Sequence, residues 1–357
     1  MKKSVVFAGG GTIGPVAPLL AVAEEMVRCD PEIRIVWAGT DAGPERDLIE
    51  PYGYPYFSVP VAKLPRYLSL KLLTAPFDFL RARRAARAIV RTALPGAVVS
   101  AGGFTAVPIV RAAFAFNIPA ISHQLDCVPG LSNRLIAHKS RYVTTSFAYS
   151  DNPFGKNIIS YPIPTPTRFS VDALPARDEA CRYFGLDPGK KVVLVMGGGT
   201  GAQALNRAMD RIVPALVPEI QVIHLTGKGK SNGSLMSDPG YVRAEFLTDE
   251  MPMAYAAADL VVSRAGIGAI SELAATMKAV VLVPLPDSPQ AANAEALGDA
   301  VRVIDQSSER WLDDLDGVII DLLKDDNARS ELGVLLNEVF PTDRGQTLAQ
   351  LVMSVMV

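Results

Sequence analysis

One pattern occurs twice in these 357 residues. SVVFAGGGTIGPVAPLLAVAEEM (4–26) reads as strand, glycine turn and helix, and VVLVMGGGTGAQALNRAM (192–209) repeats that order. Short apolar strands follow each copy, at 34–39, 97–103, 119–124 and 142–146 in the first half. In the second half they fall at 221–227, 259–266, 279–285 and 301–305. Helical stretches lie between them. Strands alternating with helices build parallel sheets covered on both faces. The expected fold class is therefore α/β, with two Rossmann-like doubly wound domains facing each other across a cleft. The length, about twice that of a usual single domain, agrees, and 49% apolar residues suffice for two cores.

The boundary is expected near SYPIPTPTR (160–168), where Pro162, Pro164 and Pro166 stiffen an extended connector. This gives a first domain over 1–160, a linker over 161–168 and a second domain over 169–340. The closing segment, 341–357, reads as a helix capped near Thr342 or Asp343 that crosses back to the first domain. Ligands of such folds bind at the C-terminal ends of the strands.

Several classes are set aside by composition. A net charge of −2 does not suit a general polyanion binder. Cys29, Cys127 and Cys181 lie far apart with no CxxC pair, so neither a disulfide framework nor a zinc site is suggested, as in a reducing cytoplasm. The apolar run after Lys3 is too short for a signal peptide and reads as a first strand. No apolar run reaches the ~18 residues of a membrane span. No HExxH, no DxD pair in apolar context and no Ser-His-Asp order stands out, so no catalytic metal or cofactor is implied.

The stretch DLVVSRAGIGAISE (259–272) carries the sharpest chemistry. An apolar strand stops at Ser263-Arg264-Ala265-Gly266, and a small-residue turn leads into a helix beginning with Ile270-Ser271-Glu272. Free N–H groups and the positive end of a helix dipole make such a turn a phosphate cradle. Glu272, one turn inside, is placed to accept hydrogen bonds from two ribose hydroxyls. An ordinary strand-to-helix turn is the plain alternative. The glycine turns after 4–8 and 192–196 satisfy GxGxxG or its looser form in the same context. Phe246 and Leu247, with Met251 beyond, can wall a flat base. Gln290 and Asn293 share one helical face and carry amides suited to sugar hydroxyls.

In the first half, SHQLDCVPGLSNR (122–134) sets His123, Gln124, Asp126 and Asn133 at a strand end, with His123 and Asp126 as proton acceptors. Residues 61–91 hold eight Lys or Arg against one Asp, interleaved with leucines and aromatics. That composition suits an anionic bilayer surface. A solvated helix face with leucines in the core is the plain alternative. Nucleic acid is disfavoured, because no stacking platform accompanies the charge.

Taken together, GGTIGPVAPLLAVA (10–23), SAGGFTAVP (100–108), SHQLDCVPGLSNR, VMGGGTGAQALN (195–206), EFLTDEMPMAYAAADLVVSRAG (245–266) and GAISE (268–272) resemble the MurG family of peptidoglycan glycosyltransferases over essentially the whole chain. The resemblance implies the GT-B fold and an inverting, metal-independent transfer of N-acetylglucosamine from UDP-N-acetylglucosamine to lipid I. It implies a peripheral place on the cytoplasmic face of the bacterial inner membrane. It implies donor contacts at Thr12, Ile13, Gly14, Asp126, Arg168, Gly199, Thr200, Leu247, Arg264, Ile267, Gly268, Ala269, Ile270, Ser271, Glu272, Gln290 and Asn293. Acceptor contacts fall on Gly103, Phe104, Thr105 and Asn133, and membrane contacts on Lys63, Arg66, Lys71, Phe77, Arg81, Arg83 and Arg84. The chain departs from the family where Pro15 replaces a histidine of the first glycine loop and Asp126 an asparagine. Another lipid acceptor, or a UDP-sugar-binding protein with little turnover, is the alternative reading.

Overall fold

The computed structural model describes residues 3–11, 14–41, 43, 45–61, 71–198, 202–217, 219–230 and 240–356, the side chains of 71–76 excepted. Thr12, Ile13, Gly199, Thr200, Lys63, Arg66 and the side chain of Lys71 lie outside the described residues. The chain divides into two compact units, 1–168 with 343–357, and 169–342.

The first unit is built on seven strands. They are β1 (Ser4–Ala8), β2 (Arg34–Gly39), β3 (Tyr56–Ser58), β4 (Ala97–Ser100), β5 (Ala120–Gln124), β6 (Tyr142–Thr145) and β7 (Ser160–Pro162). Their spatial order is β3-β2-β1-β4-β5-β6-β7, all parallel. Strand β1 is buried along its length, and Phe7 pairs with Trp37 of β2, their rings stacked at 5.6 Å. Beneath the sheet, Ala82, Ala86, Ile89, Val90 and Ala93 of the helix Lys71–Ala93 pack with Ile109, Val110 and Ala113 of Ala106–Ala115. Small side chains at helical spacing let the helix lie close to the strands.

The second unit has six parallel strands in the order β11-β10-β9-β12-β13-β14. After β8 (Thr165–Pro166) these are β9 (Val192–Met196), β10 (Gln221–Leu225), β11 (Tyr241–Ala244), β12 (Leu260–Ser263), β13 (Val280–Leu282) and β14 (Arg302–Val303). Its core joins Val193, Val195, Val262 and Val281 to Leu205, Met209 and Ile212 of the helix Gln203–Leu216. In each sheet the strand order reverses beside the first strand of its unit, at β1/β4 and at β9/β12. Ligands of doubly wound sheets bind at this kind of switch point, and all the candidate turns flank one of the two.

Two features differ from the sequence reading. Part of the proline-rich stretch is strand: β7 extends the sheet, and β8 pairs with β15 (Thr342–Asp343). Extended proline backbone is compatible with a strand at a sheet edge, where Pro162 loses no ladder bond. The last helix begins at Gln346, not at Thr342. Asp343 accepts from Gly345 N–H (2.8 Å) and Thr347 N–H (2.9 Å), and its carbonyl accepts from Thr167 N–H (2.9 Å). Gly345 has φ +83°, and a Cβ there would collide with the Ala21 backbone. The helix Gln346–Val355 thereby lies on Val16–Cys29, burying Leu348, Ala349 and Val352. At ~1.5–3 kcal/mol for a fully buried large aliphatic side chain, Leu348 and Val352 hold the returning segment on the first unit.

Candidate functional site

In the second unit the chain leaves β12 at Ser263 and turns through Arg264, Ala265 and Gly266 into the helix Ile267–Ala275. The helix therefore starts three residues earlier than the sequence suggests, and Glu272 is its sixth residue. Among the described residues no side chain caps it, and a Cβ on either Gly266 or Gly268 would meet none of their atoms within 4 Å. The N–H groups of its first turn are the unsatisfied donors of a helix N-terminus. Ser271 closes the turn by donating to Gly268 O (2.9 Å).

Buried side chains fix this turn from behind. Asn293, fully buried, donates to Ala265 O (3.1 Å). Arg264, 5% exposed, donates to Val283 O (2.7 Å) and Pro284 O (3.2 Å) beyond β13. Burial lowers the pKa of its guanidinium. Gln290 accepts from Leu285 N–H (2.9 Å). Asn293 and Gln290, read in the sequence as sugar contacts on one face, thus hold backbone on two different segments. The amide of Asn293 is directed at the turn because helix Gln290–Ala296 packs there.

Glu272 is half-buried and accepts from the Tyr255 hydroxyl at 2.5 Å. Tyr255 is fully buried, edge-on to Phe169 at 5.3 Å, and burial together with the Glu272 charge raises its pKa well above the usual phenol value. The hydroxyl is thus a permanent donor that orients one carboxylate oxygen. Sequence reasoning missed Tyr255; its helical spacing in MPMAYAA marks only a core position. Phe246 lies under Lys228 Nζ at 5.9 Å, and Leu247 beside it is half-buried. Nearer β9, Gly198 is left-handed (φ +77°). Asn206 donates to Thr226 O (3.0 Å), while His224 sits between Asn206 Oδ1 (3.1 Å) and Tyr241 Oη (2.8 Å). Burial pushes His224 down to about 3, so the imidazole is neutral.

In the first unit the candidate residues cluster at the ends of β4 and β5. Gly102 (φ +91°) and Gly103 (φ +87°) are left-handed. A Cβ on Gly103 would strike the Gly10 carbonyl oxygen, and Phe104 packs on Gly11. Asn133, 5% exposed, lies against Gly102 and donates to Gln124 Oε1 (2.6 Å) and His123 O (3.3 Å). Gln124 in turn donates to Asp126 O (2.7 Å), as does the Tyr149 hydroxyl (3.2 Å). Thr105, fully buried, precedes the helix Ala106–Ala115. Among the described residues Thr105 Oγ1 and Asn133 Oδ1 are buried with no hydrogen-bond partner.

His123 differs from the sequence reading of a residue at a cleft edge. It is fully buried, with Nδ1 at 3.0 Å from Thr144 Oγ1 and Nε2 at 3.3 Å from Ser146 Oγ. Burial pushes its pKa down to about 3, leaving a neutral ring with little basicity. Asp126 is half-buried on the loop beyond β5. Gly14 is exposed, and Pro15 precedes the helix Val16–Cys29. Arg168 donates to the Tyr52 hydroxyl (2.7 Å), beside the stacked pair Tyr52–Tyr54.

The basic stretch forms the helix Lys71–Ala93. Phe77 (70%), Phe79 and Leu80 are exposed beside exposed Arg81, Arg83 and Arg84, while Ala82, Ala86 and Ala93 face the core. Elsewhere in the unit Lys139 lies over Phe114 (4.1 Å) and Arg91 over Phe116 (5.2 Å). Among the described residues no helix is long and apolar enough to cross a membrane, and no group of three or more His, Cys, Asp or Glu is placed to hold a metal ion.

Comparison with known proteins agrees with this layout. Residues 5–145 match the glycosyltransferase family 28 N-terminal domain and residues 192–332 its C-terminal domain. The chain is similar to the UDP-N-acetylglucosamine–N-acetylmuramyl-(pentapeptide) pyrophosphoryl-undecaprenol N-acetylglucosamine transferase of Lachnoclostridium phytofermentans, at 39% identity over 79% of each chain. The enzyme of the same name from a Nocardioides species is 35% identical over 98% of this chain and 97% of its own. Among solved structures, Acinetobacter baumannii MurG superposes with a TM-score of 0.74 at 24% identity, covering 98% of this chain and 99% of the other. The two parallel-sheet units are those of the GT-B fold. This glycosyltransferase belongs to family 28 and, within it, to the MurG family.

Proposed function

We propose that this enzyme transfers N-acetylglucosamine from UDP-N-acetylglucosamine to lipid I, giving lipid II, at the cytoplasmic face of the bacterial inner membrane. The observation that carries this reading is the uncapped first turn of Ile267–Ala275 with Glu272 one turn inside, oriented by the buried Tyr255. The relatives at 35–39% identity are named for this same transfer.

In this reading the diphosphate rests on the N–H groups of Ile267, Gly268 and Ala269, with Ile270 and Ser271 completing the turn. The ribose hydroxyls donate to Glu272, and the uracil lies near Leu247. Arg264 and Asn293 hold the turn rather than the sugar, and Gln290 lies beside the donor. Backbone donors fixed in advance stabilise the charge that develops on the departing diphosphate without having to reorganise. The first unit presents the acceptor through Gly103, Phe104, Thr105 and Asn133. The 4-hydroxyl oxygen of the muramoyl sugar attacks the anomeric carbon, the bond from that carbon to UDP breaks, and the hydroxyl proton passes to Asp126. Asp126 suits this role better than His123, whose lowered pKa makes a weak acceptor. The exposed face of Lys71–Ala93, with Phe77, Arg81, Arg83 and Arg84, rests on anionic lipid.

Incubating the protein with UDP-N-acetylglucosamine and a lipid I analogue tests the reading. UDP and the disaccharide lipid are expected in equal amounts. UDP binding without disaccharide product, or transfer to a diacylglycerol instead, would overturn the proposed acceptor.

A further inference from the structure

Glu45 is a buried acid that the transfer itself does not use. It opens the short helix Glu45–Ile49 and is fully buried. Its carboxylate accepts from Gly11 N–H (3.1 Å), Thr40 N–H (2.7 Å) and the Thr40 hydroxyl (2.5 Å). The Tyr56 hydroxyl lies 3.3 Å away and donates to Thr40 O (2.7 Å). These groups come from the ends of β1, β2 and β3. A Cβ on Gly10 or on Gly43 would collide with the same carboxylate. The glycines at both positions are therefore required by Glu45.

The contacts continue across the ends of the strands. Glu45 holds Gly11 and packs on Gly10; the Gly10 carbonyl lies against Gly103, and Phe104 packs on Gly11. Gly102 meets Asn133, which bonds Gln124, which bonds the carbonyl of Asp126. The links are hydrogen bonds and close contacts at glycines, so a shift at Gly10 is passed on rather than absorbed. A carboxylate behind the turn also occupies the Gly11 N–H that a phosphate would need. The first glycine turn, which matches a phosphate-binding motif in sequence, is at Gly11 filled by the protein itself.

We infer that Glu45 is a positioning residue for the acceptor side of the transfer, fixing the first glycine turn against the Gly102–Gly103 turn that carries Phe104 and Thr105. This rests on the lipid I reading above for its substrate. Glu45→Gln keeps the shape but turns an amide toward donors, and Glu45→Ala removes the acceptor altogether. Charged-group hydrogen bonds of this kind change an equilibrium by roughly 10-fold or more. The expected result is a fall of roughly 10-fold or more in kcat/KM for the lipid I analogue. UDP affinity by calorimetry and the donor KM should stay within about 2-fold, since the proposed diphosphate, ribose and uracil contacts at 267–272 and Leu247 lie in the other unit. Hydrogen–deuterium exchange should rise in peptides covering 9–11 and 100–105 while the second unit is unchanged.

If Glu45→Ala does not fold, Glu45→Gln carries the test. The inference is overturned if Glu45→Gln leaves both kcat and the acceptor KM within about 2-fold of the parent. It is equally overturned if activity falls only with the folded fraction, with both KM values and the exchange pattern unchanged. Should the parent make no lipid II, the lipid I reading fails. The exchange comparison then still decides whether Glu45 holds the turn, and unchanged exchange at 9–11 overturns the inference.

Discussion

The glycine turn after β1 and the turn after β12 are built from similar small residues and end differently. Behind the first stands a carboxylate, Glu45, which takes the Gly11 N–H for itself. Behind the second stands an amide, Asn293, which donates to the Ala265 carbonyl, and among the described residues no side chain caps the N–H groups of the following helix. An acid behind a turn disfavours an incoming phosphate, whereas free donors at a helix end attract one. Similar local sequence thus gives one turn locked by the protein and one left open to an anion. What separates them is a side chain 34 residues away from Gly11 in one case and 28 residues away from Ala265 in the other.

If the first unit serves proton transfer and the second serves donor binding, substitutions should separate cleanly. The largest effect is expected at Asp126. Asp126→Asn should lower turnover by at least ~100-fold, within the range of a general base, with much less change in UDP affinity. Steady-state kinetics beside calorimetry gives both numbers. Turnover near normal would reduce Asp126 to a turn-capping residue and remove the chemistry from the first unit.

Charge reversal at Arg81, Arg83 and Arg84 to Glu comes next. Each basic side chain contributes ~1 kcal/mol at an anionic surface, so losing three weakens vesicle binding by roughly 100-fold or more. Added salt should release the parent enzyme in the same way. UDP affinity should not move. Persistent vesicle binding by a folded triple variant would place the membrane contact elsewhere.

Glu272→Ala should weaken UDP binding by roughly 10- to 150-fold, the range for a lost hydrogen bond to a charged group. Tyr255→Phe sharpens the assignment. It leaves the carboxylate but removes the donor that orients it, and a smaller loss than that of Glu272→Ala is expected. Equal affinity for UDP in folded Glu272→Ala would break the proposed ribose contact.

The last effect concerns pH and stability rather than binding, and here the two units should behave alike. His123 in the first and His224 in the second are both held near pKa 3 by burial. Their folded values lie below the unfolded value of about 6.5, so the unfolded chain binds the extra protons on acidification. Stability contributed by the neutral rings is full above about pH 6.5. It is lost as pH falls toward 3, at roughly 1.4 kcal/mol per pH unit for each ring. Denaturant unfolding from pH 7 to 5 should show this slope, and His123→Gln should reduce it. A slope unchanged in that variant would mean that His123 is not neutral in the folded enzyme.

Much of this was legible in the sequence, because it depends on local pattern. Alternating apolar runs and glycine turns fix parallel strands, helices between them and the doubling into two units. The charge density of 61–91 and the turn at 263–272 are readable for the same reason, since strand ends and helix starts are set by neighbours a few residues apart. Spacing alone left open which of several polar residues face solvent and which are consumed inside the protein. His123 and Asp126 stand three residues apart, yet His123, inside β5, is sealed between Thr144 and Ser146 while Asp126, on the loop after it, is half-exposed. Asn293 reads as a sugar ligand until the helix bearing it packs against Ala265. Tyr255 and Glu45 give no clear local signal, because Glu272 lies 17 residues from Tyr255 on the next helix and Gly11 lies 34 residues from Glu45 beyond β1. Hydrogen bonding inside a core is decided by which groups the sheet order brings together, and that order exists only once the chain has folded.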